Sequence, residues 1–182
     1  MSIYYSAESY NKYDQLPLLS YNCISYMLDN NELIWKLLKF NTADAWDQDD
    51  LTRVEKSALI YAGQSNQNDF RVFMDVGADD AVKEEMCILR ITPIELSPTN
   101  HIIGNVTMGF ECYCHYSINH LSNYSTRLNT IAQQIIEVFN GQEVGGLGRL
   151  YFDAKASSRC KMRTIGTIPW KGVGITMCNW IT

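Results

Sequence analysis

The chain has 182 residues, 46% of them hydrophobic, and its 15 lysines and arginines against 20 aspartates and glutamates leave a formal charge of −5. A chain of this length suits one domain that removes roughly 70% of its extended-chain surface from water, so folding demands neither a metal nor a disulfide. Mild acidity gives no general drive toward nucleic acid or anionic membrane, and secretion and membrane spanning are not expected: the opening MSIYYSAESYNKYDQ has no basic region followed by an apolar run, and no apolar stretch approaches a span of about 18 residues.

Residues 1–15 are tyrosine-rich and polar without a period, and read as an N-terminal arm on a single domain, 16–182. From Leu16 to Phe40, Leu18, Tyr21, Ile24 or Ser25, and Leu28 approximate one helical face, and Leu33, Ile34, Leu37 and Leu38 form another. The polar triplet Asp29-Asn30-Asn31 separates the two helices, with Asn30 or Asn31 as N-cap of the second. Both helices are expected to cover a sheet. Thr52 and Glu55 have capping-box spacing, which predicts a short helix running to near Gly63. Ahead of it, Asp44, Asp47, Asp49 and Asp50 make an acidic connection around Trp46. The glycine and closing glutamate of an EF-hand loop are missing there, so a solvated or partner-facing loop is expected rather than a calcium site.

After the polar QSNQND, Phe70 to Asp75 alternates as a strand, with Phe70, Val72 and Met74 on one face and Phe73 on the other. A second acidic run, Asp79, Asp80, Glu84 and Glu85, follows a turn at Gly77. Cys87 to Leu96 reads as a strand, and because Pro93 lacks an amide hydrogen it should lie at an edge or bend there, ending at Pro98.

The stretch from Ile102 to Phe139 is the predicted core. Val106, Met108, Phe110, Cys112 and Cys114 recur every second residue, and Gly104 and Gly109 mark a bulge or a close approach. Glu111 and His115 belong to the opposite face. A helix capped by Ser122 or Asn123 begins at Tyr124, and Leu128, Ile131, Ala132, Ile135, Ile136, Val138 and Phe139 fill an arc of about 160° on it. The period changes from two to 3.6, and the helix is expected to cover the apolar side of the strand. Asn140-Gly141 ends it. Strands are then expected over 148–152, 160–168 and 172–181, with 153–159 as a hairpin tip; removing the last ten residues should damage folding. The fold class is therefore α+β: a mixed, mainly antiparallel sheet packed against helices, with a C-terminal β-hairpin region.

Candidate chemistry is thin. Cysteines 23, 87, 112, 114, 160 and 178 lie mostly among apolar neighbours and read as reduced, buried thiols of an intracellular protein. Cys112, Cys114 and His115, with His120 nearby, resemble a metal cluster only on paper, because alternation sends His115 away from the cysteines. GQEVGGLG follows a helix and precedes a strand, the reverse of a phosphate-binding loop. Neither a nucleophile elbow nor a cofactor motif is present, so no catalytic, cofactor or metal residue is assigned. What stands out is charge: Arg149, Lys155, Arg159, Lys161 and Arg163 make the C-terminal hairpin basic in an acidic chain. It could meet the acidic surface of the next subunit in a heterologous contact that closes a ring, or face DNA or an acidic partner.

The segments LIWKLLKFNTADAWDQDDLTRVEKSALIY (33–61), DFRVFMD (69–75), NVTMGFECYCHY (105–116), RLNTIAQQIIEVFNG (127–141) and GLGRLYFD (146–153) together make the chain resemble tailed-bacteriophage head-to-tail junction proteins. The tail-terminator and tail-completion group is the nearest, with other neck and connector ring proteins beside it. The resemblance implies a mixed sheet flanked by helices and a noncatalytic virion protein, assembled in the host cytoplasm. It also implies a homo-oligomeric ring, a hexamer by expectation, that meets neck, portal-side or tail proteins around the DNA channel. It carries over no catalytic residue. The competing reading is a small intracellular enzyme or regulatory binding domain, which would be a monomer or dimer with a polar-lined pocket.

Overall fold

The computed structural model describes residues 17–63, 69–74, 85–98, 104–144, 148–152, 162–165 and 170–181, the last two stretches as backbone. The helices Leu19–Asn30 (α1) and Leu33–Lys39 (α2) form where two apolar stripes were read. Asn31 links them: its Oδ1 accepts from the Ile34 amide at 2.7 Å, the work of an N-cap. The buried side of α1 is Leu19, Ser20, Cys23, Ile24 and Met27, so Leu18 and Tyr21 of the expected face are exposed instead. This turn of the helix leaves the Tyr21 hydroxyl in water and buries a stripe with almost no polar atom to satisfy. Trp35 closes the corner, donating from Nε1 to the Met27 carbonyl at 3.2 Å.

The capping box is present at Arg53–Ala58 (α3): Thr52 Oγ1 accepts from the Glu55 amide while Glu55 Oε2 accepts from the Thr52 amide. The helix stops well before Gly63, because the backbone at Ile60 already pairs in parallel with Val72. Competition from a buried sheet bridge ends it. Lys56 on α3 is buried, and its ammonium reaches the Glu32 carboxylate and the Leu28 carbonyl at the junction of α1 and α2.

The alternating run at 70–75 yields a two-residue strand, Val72–Phe73 (β1). Val72 faces the main core and Phe73 the other side of the sheet, where it packs with Met86 and Ile88. Phe70 joins Phe73 rather than Val72, since the residues before Val72 are outside the strand and need not alternate. Strands Cys87–Pro98 (β2) and Gly104–His115 (β3) pair antiparallel, with Cys87 opposite Cys114 and Pro98 opposite Gly104. The ladder shifts between Pro93 and Glu95, the bend that proline imposes. A Cβ on Gly109 would lie 2.4 Å from Ile94 Cδ1, so glycine there answers to a close approach across the ladder.

Helix Arg127–Phe139 (α4) covers β3, but it starts three residues later than expected and is capped by Thr126, whose hydroxyl accepts from the Asn129 amide. Tyr124 cannot begin it, because its φ of 63° is left-handed. Leu128, Ile131, Ile135 and Phe139 are fully buried against the inner face of β3, where Phe139 meets Phe110 with ring centroids 4.9 Å apart. Gly141, at φ 78°, turns the chain out of the helix.

The remaining strands are Leu150–Phe152 (β4), Met162–Ile165 (β5) and Trp170–Ile181 (β6). The order is β1-β2-β3-β6-β4, with β5 also on β6; β1 and β2 run parallel and the other pairs antiparallel. The architecture is α+β, a mixed sheet packed against helices. The expected arm at 1–15, the turn at Gly77, the glycines at 145 and 146 and the hairpin tip at 153–159 lie outside the described residues.

Candidate functional site

One end of the sheet collects most of the unusual side chains. After β3 the chain makes an excursion, 116–126, pinned at its base by the His120–Thr126 bridge and by the Leu121 amide donating to the Ser125 carbonyl at 3.0 Å. Asn123 Oδ1 accepts from the Ser125 amide at 3.1 Å, an Asx turn that tightens the tip. Tyr124 projects from this tip fully into solvent. A bulky residue in the left-handed region costs energy, and here the surrounding turn enforces it.

The acidic connection lies against the same tip. The Ser122 amide donates to the Ala43 carbonyl at 2.8 Å, and Trp46 Nε1 donates to Ser122 Oγ at 2.9 Å. Trp46 therefore lies beside the tip with 39% of its surface exposed, and Asp44, Asp47, Asp49 and Asp50 are all exposed around it. Asp50 is paired with Lys36 at 2.6 Å, whereas Asp44, Asp47 and Asp49 form no ion pair among the described residues. Tyr116, also exposed, stands on the near side of the excursion with its ring against His115 at 4.6 Å.

Arg127 braces this end from beneath. The side chain is fully buried, and its guanidinium donates to four backbone carbonyls: Ile118 at 2.9 Å from Nε, Leu37 at 2.5 Å and Phe40 at 2.7 Å from one terminal nitrogen, and Thr42 at 2.9 Å from the other. Three of these lie at and beyond the C-terminus of α2, where a cation is favoured. The same side chain thus ties together α2, the start of the acidic connection and the excursion.

The thiols are of another kind. Cys23, Cys87, Cys112 and Cys114 are free and buried, with Cys87 Sγ 3.6 Å from Cys112 Sγ. Burial pushes the Cys23 thiol up to about 12. Burial first, then the neighbouring Cys112 thiol, raises Cys87, and Cys114 is raised by its hydrogen bond to Cys87 and by burial. Protonated thiols shielded from water are poor nucleophiles and poor ligands. No group of three or more His, Cys, Asp or Glu placed to hold a metal occurs among the described residues. On the outer face of the sheet, Arg90 lies 3.5 Å from Glu111, and Tyr113 donates to Glu111 at 2.9 Å; burial, then this carboxylate, pushes the Tyr113 phenol up to about 12.

Of the basic residues singled out from sequence, Arg149 is exposed, its backbone bridged to Glu143. Arg163 lies on β5, and Lys155, Arg159 and Lys161 lie outside the described residues. In the second acidic run Glu85 is exposed, with its carbonyl accepting from Asn41 Nδ2 at 2.6 Å; Asp79, Asp80 and Glu84 lie outside the described residues. No helix is long and apolar enough to cross a membrane among the described residues.

Residues 31–164, well over half of the chain, match the family model described as YomW. The chain belongs to the YomW family. No curated protein matches it. The matched span of this YomW-family chain includes the acidic connection, Arg127, the excursion that carries Tyr124 and the basic run from Arg149 to Arg163. Two residues of this region were missed in the sequence. Arg127 lies four positions before Ile131, on the apolar arc, and that placement was a readable sign of a buried cation. The left-handed backbone of Tyr124 had no sign.

Proposed function

We propose that this YomW-family chain is a noncatalytic structural protein of a tailed-phage virion. Its copies form a ring, a hexamer by expectation, at the head-tail junction or tail end. The ring joins tail or neck to its neighbours around the DNA channel. The reading rests on the resemblance of five ordered segments, and what supports it in the structure is the mixed sheet packed against helices, the architecture that the resemblance implies. The chain is a single domain, 16–182, with a tyrosine-rich arm before it and a basic C-terminal hairpin region. That hairpin, Lys155 to Arg163 with Arg149 just upstream, contacts a neighbouring subunit, a tail-tube or neck protein, or the channel DNA. The protein resides in the virion and, during assembly, in the host cytoplasm.

Particles carrying an epitope-tagged copy provide the test. Antibody gold at the head-tail junction or tail end of purified particles is the expected result. Gold confined to unassembled protein in the lysate would overturn the assignment.

A further inference from the structure

The exposed aromatic and acidic groups around the 116–126 excursion form a surface with an opposite number elsewhere on the chain. Trp46 offers an indole held by its bond to Ser122 Oγ, Tyr124 offers a fully exposed ring on a backbone fixed by the turn, and Asp44 and Asp47 supply charge without an ion-pair partner among the described residues. Exposed aromatics beside charge are frequent anchors of protein interfaces. The complementary chemistry is a cation beside a ring, since a guanidinium can pair with carboxylates and stack on aromatic faces together.

Arg149 and Tyr151 have this chemistry. Arg149 is exposed and makes no ion pair among the described residues, and Tyr151 on β4 is 44% exposed. The register places them far from the acidic surface of the same molecule. Leu150 between them pairs with Asn179, and Asn179 pairs with Val106 near the start of β3. The excursion leaves from His115 at the other end of that strand. The strand between covers about 30 Å at roughly 3.3 Å per residue, against a screening length of about 8 Å at physiological salt. The two surfaces cannot neutralise each other within one molecule.

We propose that the Tyr124, Trp46, Asp44 and Asp47 surface receives the Arg149–Tyr151 edge of a second copy, joining successive copies head to tail. The contact is heterologous, so repetition of it closes a ring or extends a filament. It rests on the reading of the chain as a self-assembling subunit and names the surfaces that meet.

Sedimentation velocity on the full chain separates the two ideas. Wild type is expected to sediment as an oligomer. The double variant Asp44→Lys with Asp47→Lys, and separately Arg149→Glu, are each expected to weaken association at least tenfold. An equimolar mixture of these two should regain it, because each altered surface then meets its complement; such rescue also shows that both variants fold. Tyr124→Ser should weaken association similarly, and Val54→Ser, at an exposed apolar position on α3, should leave it unchanged. A monomeric wild type would overturn both the assembly reading and this contact. Wild-type oligomers with variants that assemble equally well, or with no rescue on mixing, would overturn the contact alone.

Discussion

Arg127 ties α2, the acidic connection and the excursion together from inside the core. A fully buried guanidinium that satisfies four carbonyls cannot be removed without leaving acceptors dry. Arg127→Met, which keeps much of the volume, should cost about 3–5 kcal/mol in urea unfolding. Arg127→Lys should recover only part of this, because a point cation reaches fewer of the four acceptors than a planar fork does. A loss below about 1 kcal/mol for the methionine variant would show that the carbonyls find other donors. Glu55 is the clearest titrating residue. The hydrogen bond from Lys39, then those from the backbone and hydroxyl of Thr52, lower its carboxyl to about 2. A carboxylate held low contributes stability that is present above its unfolded value, near pH 4.3, and is lost as pH falls through the folded value. Glu55→Gln should therefore flatten the acid limb of the stability curve between about pH 4 and 2, measured by thermal unfolding at stepped pH. An unchanged acid limb would contradict the cap geometry.

At the scale of elements, the legible parts were those where periodicity and burial agree. The face Val106, Met108, Phe110, Cys112, Cys114 is buried at every position, as a period of two requires of a half-covered strand. The stripe on α4 likewise packs as its period implied, so Ile135→Ala should cost about 2–5 kcal/mol, read from the shift in urea midpoint at constant slope. A near-zero loss would remove Ile135 from the core. Boundaries were less legible, for physical reasons that differ from place to place. The start of α4 depends on the left-handed backbone at Tyr124, set by the turn bonds within 121–125, which no periodicity announces. The end of α3 depends on the Ile60–Val72 bridge, a contact between segments that are not adjacent in sequence. On α1 the inward stripe is Leu19, Cys23, Ile24 and Met27 rather than the face through Leu18 and Tyr21, and what the helix packs against decided it. The acidic connection was legible as exposed and charged; that it leans on a tyrosine-bearing tip some 75 residues later in the chain was not.

For the whole molecule, the strand order places β6 between β3 and the two strands β4 and β5, so the C-terminal stretch is interior to the sheet rather than an appendage. Helices cover the inner face, and the second cluster around Phe73, Met86 and Ile88 covers part of the outer one. Among the described residues, the surface of Trp46 and Tyr124 and the edge of Arg149 and Tyr151 lie toward opposite ends of the central strand. Native mass spectrometry of the full chain at physiological salt tests whether copies assemble into the proposed closed ring. One discrete oligomer, six copies by expectation, that persists on dilution to micromolar concentration is the expected result. A species at the mass of a single 20.8 kDa chain across that range would contradict it.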